Sequence, residues 1–339
     1  MKKHEHANIP IFIPHLGCPN ECIFCNQRTI SGHTDFDPSG VKNEIETALA
    51  TLGERTAEIA FFGGSFTGID RGLMIYLLDL AQEYVASGKV VGIRLSTRPD
   101  YIDTEVIEIL KKYDISAVEL GIQSTDDAVL TAARRGHTAD QSKKAVFALR
   151  NAGFSVVGQM MIGLPSATPE SELDTARNIA AWGCEAARVY PTVVFRDTDL
   201  CALAQSGEYT PLTEEIAASR TADVLDVFDL NGVNVIRVGL CASENLASDE
   251  AVFGGANHPA IGELAMNELY FKRICEELDK TEKTGEVLMI YVAPGAVSRA
   301  VGQKRRNILR LSEKYGINRI KVLEKIDIIG YNIKIEYIM

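Results

Sequence analysis

A chain of 339 residues, of which 46% are hydrophobic, is long enough to bury a large core and to carry one appended domain. Its net charge of −11 excludes a uniformly basic nucleic-acid binder. The charge is uneven, because residues 299–325 contain nine basic and two acidic side chains, which leaves +7 there and −18 on the remainder. We therefore expect one anion-facing patch on an otherwise acidic protein.

The N-terminal sequence MKKHEHANIPIF has two early lysines but no continuous apolar stretch. No window elsewhere reaches the length of a transmembrane helix. We expect a cytoplasmic protein in a reducing compartment, with no membrane partner.

Apolar strand-like runs alternate with amphipathic helix-like segments, a pattern typical of parallel βα proteins. Six strands with intervening helices fit a partial barrel better than a doubly wound sheet, although periodicity alone does not separate the two. A long helix and one further strand, at 233–238, follow. We assign 1–250 to this unit, 251–282 to a glycine-rich hinge and helix, and 283–339 to a C-terminal module. The six predicted strands span 9–13, 58–62, 91–96, 117–121, 155–161 and 187–191.

Three cysteines, Cys18, Cys22 and Cys25, form a CxxxCxxC triad after the first predicted strand. Soft thiolates favour iron-sulfur clusters or zinc over hard metals, and three ligands leave one coordination position open. Three interpretations follow: a cluster, a zinc site completed by His15 or His33, or structural cysteines with one odd thiol. The other four cysteines are far apart and are predicted to be small buried hydrophobic residues.

The spacing of the triad, with Phe24 directly before the third cysteine, resembles the signature of the radical SAM superfamily. The resemblance favours a 4Fe-4S cluster held by Cys18, Cys22 and Cys25, whose open iron binds S-adenosylmethionine (SAM). It also implies a (β/α)6 partial barrel and a reducing electron donor such as flavodoxin or ferredoxin.

Further motifs lie where the predicted strands end, which is where a βα barrel places its chemistry. Residues 61–66 resemble the glycine-rich segment that holds the amino group of SAM, with Gly63, Gly64 and Ser65 at its centre. Glycines allow close approach to the ligand, and Ser65 in place of glutamate is harmless if backbone atoms make the contact. Ser96 lies at the mouth after the third strand, where it would line the cavity or cap a turn.

Two further strand ends complete the predicted SAM pocket. Gln123 and Arg135 match the pair that contacts SAM in the branch containing oxygen-independent coproporphyrinogen oxidase. An amide suits ribose hydroxyls and a guanidinium suits a carboxylate. Residues 158–165 are similar to the segment that flanks adenine, which makes Met160 and Gly163 candidates. Alternation along a strand sends Met160 and Met161 to opposite sides, so at most one contacts the ring.

Residues 188–198 closely resemble the segment after the sixth strand in the radical SAM catalytic subunit of Elongator, and the likeness covers about 8–240. Arg188 and Tyr190 are candidate catalytic residues on this basis, with strand packing as the alternative. The Elongator subunit continues into an acetyltransferase domain. We expect no acetyltransferase domain within this chain, so the complete reaction of the Elongator subunit is not assigned to it.

The C-terminal segment 301–322 resembles the core of a KH RNA-binding module, in which a helix, a GxxG loop and a second helix precede a strand. Flanking strands at 287–292 and 331–338 would give the order β-α-α-β-β. A GxxG loop grips a nucleic-acid backbone with amides and basic side chains. A basic hairpin that binds no nucleic acid is the alternative. The candidate RNA-binding residues are Gly302, Lys304, Arg305 and Arg306, the last glycine of the motif being replaced by Arg305.

The sequence therefore predicts an Elongator-like radical SAM enzyme that modifies a base in tRNA or rRNA. One alternative is a radical SAM enzyme acting on a small molecule such as a porphyrin or an amino acid. The other is a non-catalytic RNA-binding scaffold with a vestigial cluster, against which the presence of Gln123 and Arg135 argues. His258 and Glu263, in the hinge, are expected to be able to reach the active site.

Overall fold

A computed structural model describes residues 6–18, 22–32, 36–240, 250–282 and 284–339. The strands are β1 (Ala7–Phe12), β2 (Ala57–Phe62), β3 (Ile93–Thr97), β4 (Ile115–Gln123), β5 (Val156–Ile162), β6 (Ala186–Pro191), β7 (Val193–Phe195), β8 (Asn234–Val238), β9 (Val252–Gly255), β10 (Val287–Val292), β11 (Arg319–Glu324) and β12 (Ile333–Ile338). The helices are α1 (Gln27–Ser31), α2 (Val41–Thr51), α3 (Arg71–Ala86), α4 (Thr104–Leu110), α5 (Asp127–Ala132), α6 (Ala139–Asn151), α7 (Pro169–Ala181), α8 (Asp199–Ser206), α9 (Glu214–Leu230), α10 (Ile261–Leu278), α11 (Val297–Val301) and α12 (Arg306–Tyr315).

A curled, seven-stranded parallel sheet dominates the molecule. Its strands lie side by side in chain order from β1 to β6, and β8 follows. The partial barrel expected from the resemblance is confirmed. The strand predicted at 233–238 joins the same sheet, because α9 returns the chain so that β8 pairs parallel to β6.

The two faces of the sheet differ sharply in chemistry. In β1, Ile9 and Ile11 are at most 2% exposed, and together with Ile13 they pack against the surrounding helices. Successive strand residues point to opposite faces, so the alternate positions line the inside of the barrel. Those inner positions are unusually polar, and among them are Glu58, Arg94, Ser96, Glu119, Gln159 and Arg188.

The C-terminal unit is a small sheet with two helices. Its middle strand, β10, runs parallel to β11 and antiparallel to β12. The chain order from β10 through α11, α12 and β11 to β12 is the predicted β-α-α-β-β order. The helix pair and sheet share a hydrophobic core that includes Leu288, Ile290 and Leu311.

The segment 251–282, predicted as a glycine-rich hinge and helix, contains strand β9 and helix α10. Strand β9 pairs antiparallel with β7, and α10 lies between the barrel and the C-terminal unit. Ala265 and Leu269 pack with α9, whereas Tyr270 and Ile274 pack into the C-terminal core. An amphipathic helix with two apolar stripes can bury both against neighbours, which explains why this connection is not a flexible linker.

His258 and Glu263, which we expected to be able to reach the active site, each have a partner near the start of α10. The His258 Nδ1 accepts a hydrogen bond from the Ala260 amide at 3.0 Å, at the start of α10. Glu263 instead faces Arg299 of α11, with 3.6 Å between the carboxylate oxygen and Nε. Both side chains are therefore engaged around α10. Of the helices in the described ranges, none is long and apolar enough to cross a lipid bilayer.

Candidate active site

The cysteine loop follows β1 at the carboxyl end of the barrel strands. Cys22 is buried, Cys18 and Cys25 are half-buried, and all three are free thiols. Burial, followed by the neighbouring Cys22 thiol, raises the pKa of Cys25 to about 12 and also raises the pKa of Cys18. The thiols are therefore close enough to interact. Their deprotonation needs a compensating positive charge, which a metal centre supplies.

The glycine-rich segment after β2 lies directly on the cysteine loop. A Cβ atom on Gly64 would lie 2.4 Å from the Leu16 carbonyl oxygen and 2.5 Å from that of Ile13. A Cβ on Gly17 would lie 2.2 Å from the Ser65 carbonyl oxygen. Because these contacts are to backbone, no side-chain movement relieves them. The loop that carries the cysteines and the segment predicted to bind SAM fit together only with glycine at both positions.

The Ser65 side chain has a structural role that the sequence did not reveal. It is fully buried, its hydroxyl lies 3.0 Å from Thr97 Oγ1, and its oxygen accepts from the Arg98 amide at 3.1 Å. These bonds join the ends of β2 and β3. Contact of SAM with the Ser65 backbone stays a prediction.

Gln123 and Arg135, the two residues that the resemblance predicts to contact SAM, meet over Gly121. A Cβ on Gly121 would lie 3.0 Å from Gln123 Nε2 and 3.2 Å from Arg135 Nη2. Gln123 has a φ of 66°, a left-handed conformation that costs energy in a residue with a side chain. Arg135 Nη1 lies 3.2 Å from the sulfur of Cys22, and Nη2 donates to the Gly121 carbonyl at 2.7 Å. Arg135 of the predicted SAM pair is thus in direct contact with the cysteine loop.

Two buried atoms of this pair, Gln123 Oε1 and Arg135 Nε, have no hydrogen-bond partner within the described part of the chain. Buried polar atoms are almost always paired, so an unpartnered acceptor on Gln123 and an unpartnered donor on Arg135 indicate a polar ligand. This arrangement beside Cys22 fits a cluster with SAM bound next to it.

The described ranges contain no three His, Cys, Asp or Glu side chains placed to hold a single metal ion. A 4Fe-4S cluster does not require its three cysteine ligands to converge on one metal ion, because each thiolate binds a different iron. Of the two histidines considered as zinc ligands, His15 uses Nε2 to accept from the Gln27 amide at 3.1 Å. His33 lies outside the described residues.

The choice of Met160 as a SAM contact is contradicted by the structure. Met160 is fully buried among the apolar residues between sheet and helices. Met161, on the opposite side of β5, is half-buried. Met161 and Phe24, the residue before Cys25, both pack against the same apolar residues, Val129, Ala133 and Leu164. Met161 is therefore the methionine on the cluster side of the strand.

The turn at Gly163 is fixed from both sides. Gly163 has a φ of 80°, which favours glycine. Its amide donates to Glu172 Oε1 at 2.7 Å, and its carbonyl accepts from the Tyr209 hydroxyl at 2.6 Å. Glu172 is in turn paired with Arg220. The backbone of the predicted adenine-flanking turn is therefore held in place without any ligand.

A buried charge network inside the barrel was missed by the sequence analysis. Glu119 is fully buried and accepts from Arg94 at 3.2 Å, from Arg188 at 2.8 Å and from Gln159 at 2.7 Å. The available signal was polar residues at alternate positions of otherwise apolar strands. Glu119 therefore links two arginines and one amide, which come from β3, β6 and β5.

The candidate catalytic residues lie on the inner side of β6, above this network. Arg188 is 9% exposed, pairs with Glu119, and its guanidinium carbon lies 5.5 Å from the centre of the Phe62 ring. Burial raises the pKa of the Tyr190 hydroxyl, and the neighbouring Arg188 charge opposes this shift. Arg188 is held by Glu119, and the Tyr190 hydroxyl beside it is protonated at neutral pH. Their catalytic roles stay predictions.

A second network, also missed, lies beside the cysteines. Arg98 is buried and paired in fork fashion with Asp100, through Nε at 3.0 Å and Nη2 at 2.9 Å. His137 Nδ1 is 4.0 Å from Asp100 Oδ1. Burial, and then the Arg135 charge, lower the pKa of His137 to about 4, so the imidazole is neutral at neutral pH.

The predicted RNA-binding turn joins α11 and α12. Gly302 is buried with a φ of 77°, and a Cβ there would lie 3.0 Å from the Asn307 amide nitrogen. Lys304 and Arg305 are both left-handed, with φ of 53° and 62°. The side chains of Lys304, Arg305 and Arg306 are exposed, and none makes an ion pair with another described residue. We call these three residues the basic turn.

Comparison with known proteins assigns the chain to a family. The radical SAM superfamily model matches residues 12–179, and a radical SAM C-terminal domain model matches residues 184–271. Human Elongator complex protein 3 is 32% identical over 239 residues, which are 58% of this chain and 44% of that protein. A tRNA uridine(34) acetyltransferase of Dehalococcoides mccartyi is 26% identical over 245 residues, 62% of this chain and 53% of that protein. The chain thus spans about half the length of these two relatives.

Two further comparisons complete the assignment. An uncharacterized protein of Methanocaldococcus jannaschii is 29% identical over 237 residues, 66% of this chain and 72% of that protein. The solved structure of an archaeal Elp3 from Methanocaldococcus infernus, lacking its N-terminus, shares the fold with a TM-score of 0.62 at 21% identity, covering 79% of this chain and 67% of that one. With its cysteine triad at the mouth of a parallel partial barrel, this chain belongs to the radical SAM superfamily, and within it resembles the Elongator subunit.

Proposed function

We propose that this protein is a radical SAM enzyme that carries a 4Fe-4S cluster on Cys18, Cys22 and Cys25 and modifies a base in tRNA or rRNA. The observation that carries the proposal is the contact between Arg135 and Cys22, beside the unpartnered Gln123 Oε1. A cysteine loop and a nucleoside-binding pair that touch are what joint binding of a cluster and SAM requires.

When bound, a 4Fe-4S cluster held by Cys18, Cys22 and Cys25 would supply the electron for the reductive cleavage of SAM. The chain's own residues would bind SAM and orient it. Gln123 Oε1 is an acceptor for ribose hydroxyls, and the free Arg135 Nε is a donor for a carboxylate. The Gly163 turn, whose backbone is held by Glu172 and Tyr209, would lie beside the adenine ring of SAM, next to Met161.

The inside of the barrel supports a polar substrate. Glu119 pairs with Arg188, and the charge of Arg188 lies close enough to the Tyr190 hydroxyl to affect its pKa. A protonated hydroxyl at the cavity can donate a hydrogen bond to a carbonyl such as that of a nucleobase. A base must leave its stack to reach this depth, because the reacting atom is otherwise inaccessible.

Two observations favour RNA as the substrate class. Relatives with 26% to 32% identity are named as tRNA uridine(34) acetyltransferases and Elongator complex proteins. The basic turn of this chain offers three exposed cations on an acidic protein. Phosphate contacts position a nucleic acid without reading its sequence, so the turn would hold RNA while the barrel acts on one base.

Mass spectrometry of RNA nucleosides tests this proposal. Cells lacking the gene are complemented with wild type, with Cys22→Ala, or with Cys184→Ala, which changes a buried cysteine outside the triad. We expect one modified nucleoside to disappear without the gene, to return with wild type and Cys184→Ala, and to stay absent with Cys22→Ala. Identical nucleoside profiles in all strains would contradict an RNA substrate and favour a small molecule.

A further inference from the structure

We propose that Arg135 is a positioning residue of the cluster itself: through its hydrogen bond to Cys22 it favours the reduced cluster and so sets the reduction potential before SAM binds. The inference rests on the proposed function, because it requires the cluster on the triad. Arg135 would then have two roles: its Nε would contact SAM, and its hydrogen bond to Cys22 would act on the cluster.

The surroundings of Arg135 leave its charge uncompensated. The residue is 7% exposed, and its two neighbours within hydrogen-bond distance are the Cys22 sulfur at 3.2 Å and the Gly121 carbonyl at 2.7 Å. No carboxylate of the described residues lies within ion-pair distance of it. A guanidinium is always charged, and an unpaired buried charge is costly. An anion on the Cys22 side is what this site lacks.

Comparison with the other arginines of the barrel sharpens the point. Arg98 is matched by Asp100 and Arg188 by Glu119, so their charges are compensated within the protein. The preceding residue, Arg134, is exposed and paired with Asp199. Of the buried arginines in the described part, Arg135 is therefore the one whose counter-charge has to come from the bound cofactor.

The direction of the effect follows from charge. Reduction adds one electron to the cluster, while Arg135 stays protonated, so the negative charge beside it grows by one. A nearby cation and a hydrogen bond to a ligand sulfur stabilise the reduced form more than the oxidised form. Removing the guanidinium should therefore make the midpoint potential more negative.

The test is an anaerobic redox titration of the reconstituted protein, monitored by the electron paramagnetic resonance signal of the reduced cluster, without SAM and without RNA. The variants are Arg135→Gln, which removes the charge, and Arg135→Lys, which keeps the charge but lacks the planar guanidinium with its several N–H donors. Arg134→Gln is the matched control, one residue away and on the surface. We expect the midpoint to shift to more negative values in Arg135→Gln, by less in Arg135→Lys, and not in Arg134→Gln.

An Arg135→Gln variant that holds the cluster at the wild-type midpoint would overturn the inference. If that variant retains too little iron, Arg135→Lys decides, and an unchanged midpoint there overturns the inference as well. A wild-type protein that assembles no 4Fe-4S cluster would instead overturn the proposed function. The two failures are therefore distinguishable, and neither depends on turnover.

Discussion

The barrel and the C-terminal unit place their charges in opposite ways. Inside the barrel, Glu119 and Asp100 pair with buried arginines, so the charged groups hold one another at fixed positions. In the C-terminal unit, the basic turn presents Lys304, Arg305 and Arg306 to solvent without ion-pair partners among the described residues. Paired buried charges build a pre-organised site, whereas unpaired exposed charges are available to a large anionic partner. Each of the following experiments breaks one side of this comparison.

The largest effect is expected from Glu119→Gln. The change removes the carboxylate that pairs with Arg188, whereas Arg94 keeps its second partner, Glu58, and removing one partner of a buried ion pair costs about 3–5 kcal/mol. Urea unfolding under anaerobic conditions measures the loss. The control is Glu313→Gln, an exposed position on α12, where we expect a change within about 0.5 kcal/mol. Equal stabilities of the two variants would show that the barrel network is not coupled as described.

The next effect concerns pH and His137. The folded-state pKa of about 4 lies below the ordinary value of 6.5, so below pH 6.5 the unfolded chain binds a proton that the native protein does not. This contribution is fully present above pH 6.5 and is lost as the pH falls to about 4, with a slope of up to ~1.4 kcal/mol per pH unit.

Unfolding free energies of wild type and His137→Gln, measured at several pH values, isolate that slope from the carboxylates, which titrate in both proteins. We expect the wild type to lose stability relative to the variant as the pH falls through this window. Parallel curves would mean that the imidazole is not buried in its neutral form.

A smaller effect is expected from Gly64→Ala. The added methyl group would meet two backbone oxygens of the cysteine loop at 2.4 and 2.5 Å, and overpacking of this kind costs about 1–3 kcal/mol. The displaced loop should also hold less iron after reconstitution. Gly254→Ala is the matched control, because a Cβ on Gly254 in β9 meets nothing within 4 Å. Full iron content in Gly64→Ala would contradict the close fit between the two segments.

The last comparison addresses the C-terminal side. Replacing Lys304, Arg305 and Arg306 together by Glu should weaken RNA binding at low salt about tenfold or more, which is at least ~1.4 kcal/mol. If each residue contacts one phosphate, the slope of log affinity against log salt should fall by about 2. Filter binding at several salt concentrations measures both. Cluster content should not change, since the turn lies outside the barrel. Unaltered RNA binding would show that the basic turn is not the RNA contact.

The sequence predicted the barrel strands well, because their apolar runs are short and bounded by turn residues. It predicted the pairing of Gln123 with Arg135 through resemblance. It erred at Met160, since the apolar run 160–162 hides the phase of the strand. Gln159 shows which residues of β5 face the inside of the barrel: its polar side chain does, and Met161, two residues later, lies on the same face.

The buried charge networks could not be predicted from the sequence, for a different reason. Glu119 meets Arg188 only through the register of three strands, in which Gly121 lies opposite Gln159 and Gln159 lies opposite Arg188. Glu263 likewise turns to Arg299 because α10 packs against the C-terminal unit. Such pairings depend on tertiary placement, which local patterns do not encode.

Reductive cleavage of SAM tests the central claim most directly. Wild-type protein reconstituted anaerobically with iron and sulfide, and reduced with dithionite, should show the visible absorption of a 4Fe-4S cluster and form 5′-deoxyadenosine from SAM. Alanine at Cys18, Cys22 or Cys25 should abolish both, because the cluster then lacks one of its three thiolates. The control replaces the buried cysteines that the described ranges contain outside the triad, Cys184, Cys201 and Cys275; Cys241 lies outside those ranges. This control should keep the cluster, whereas a triple triad variant that still forms 5′-deoxyadenosine would contradict the account.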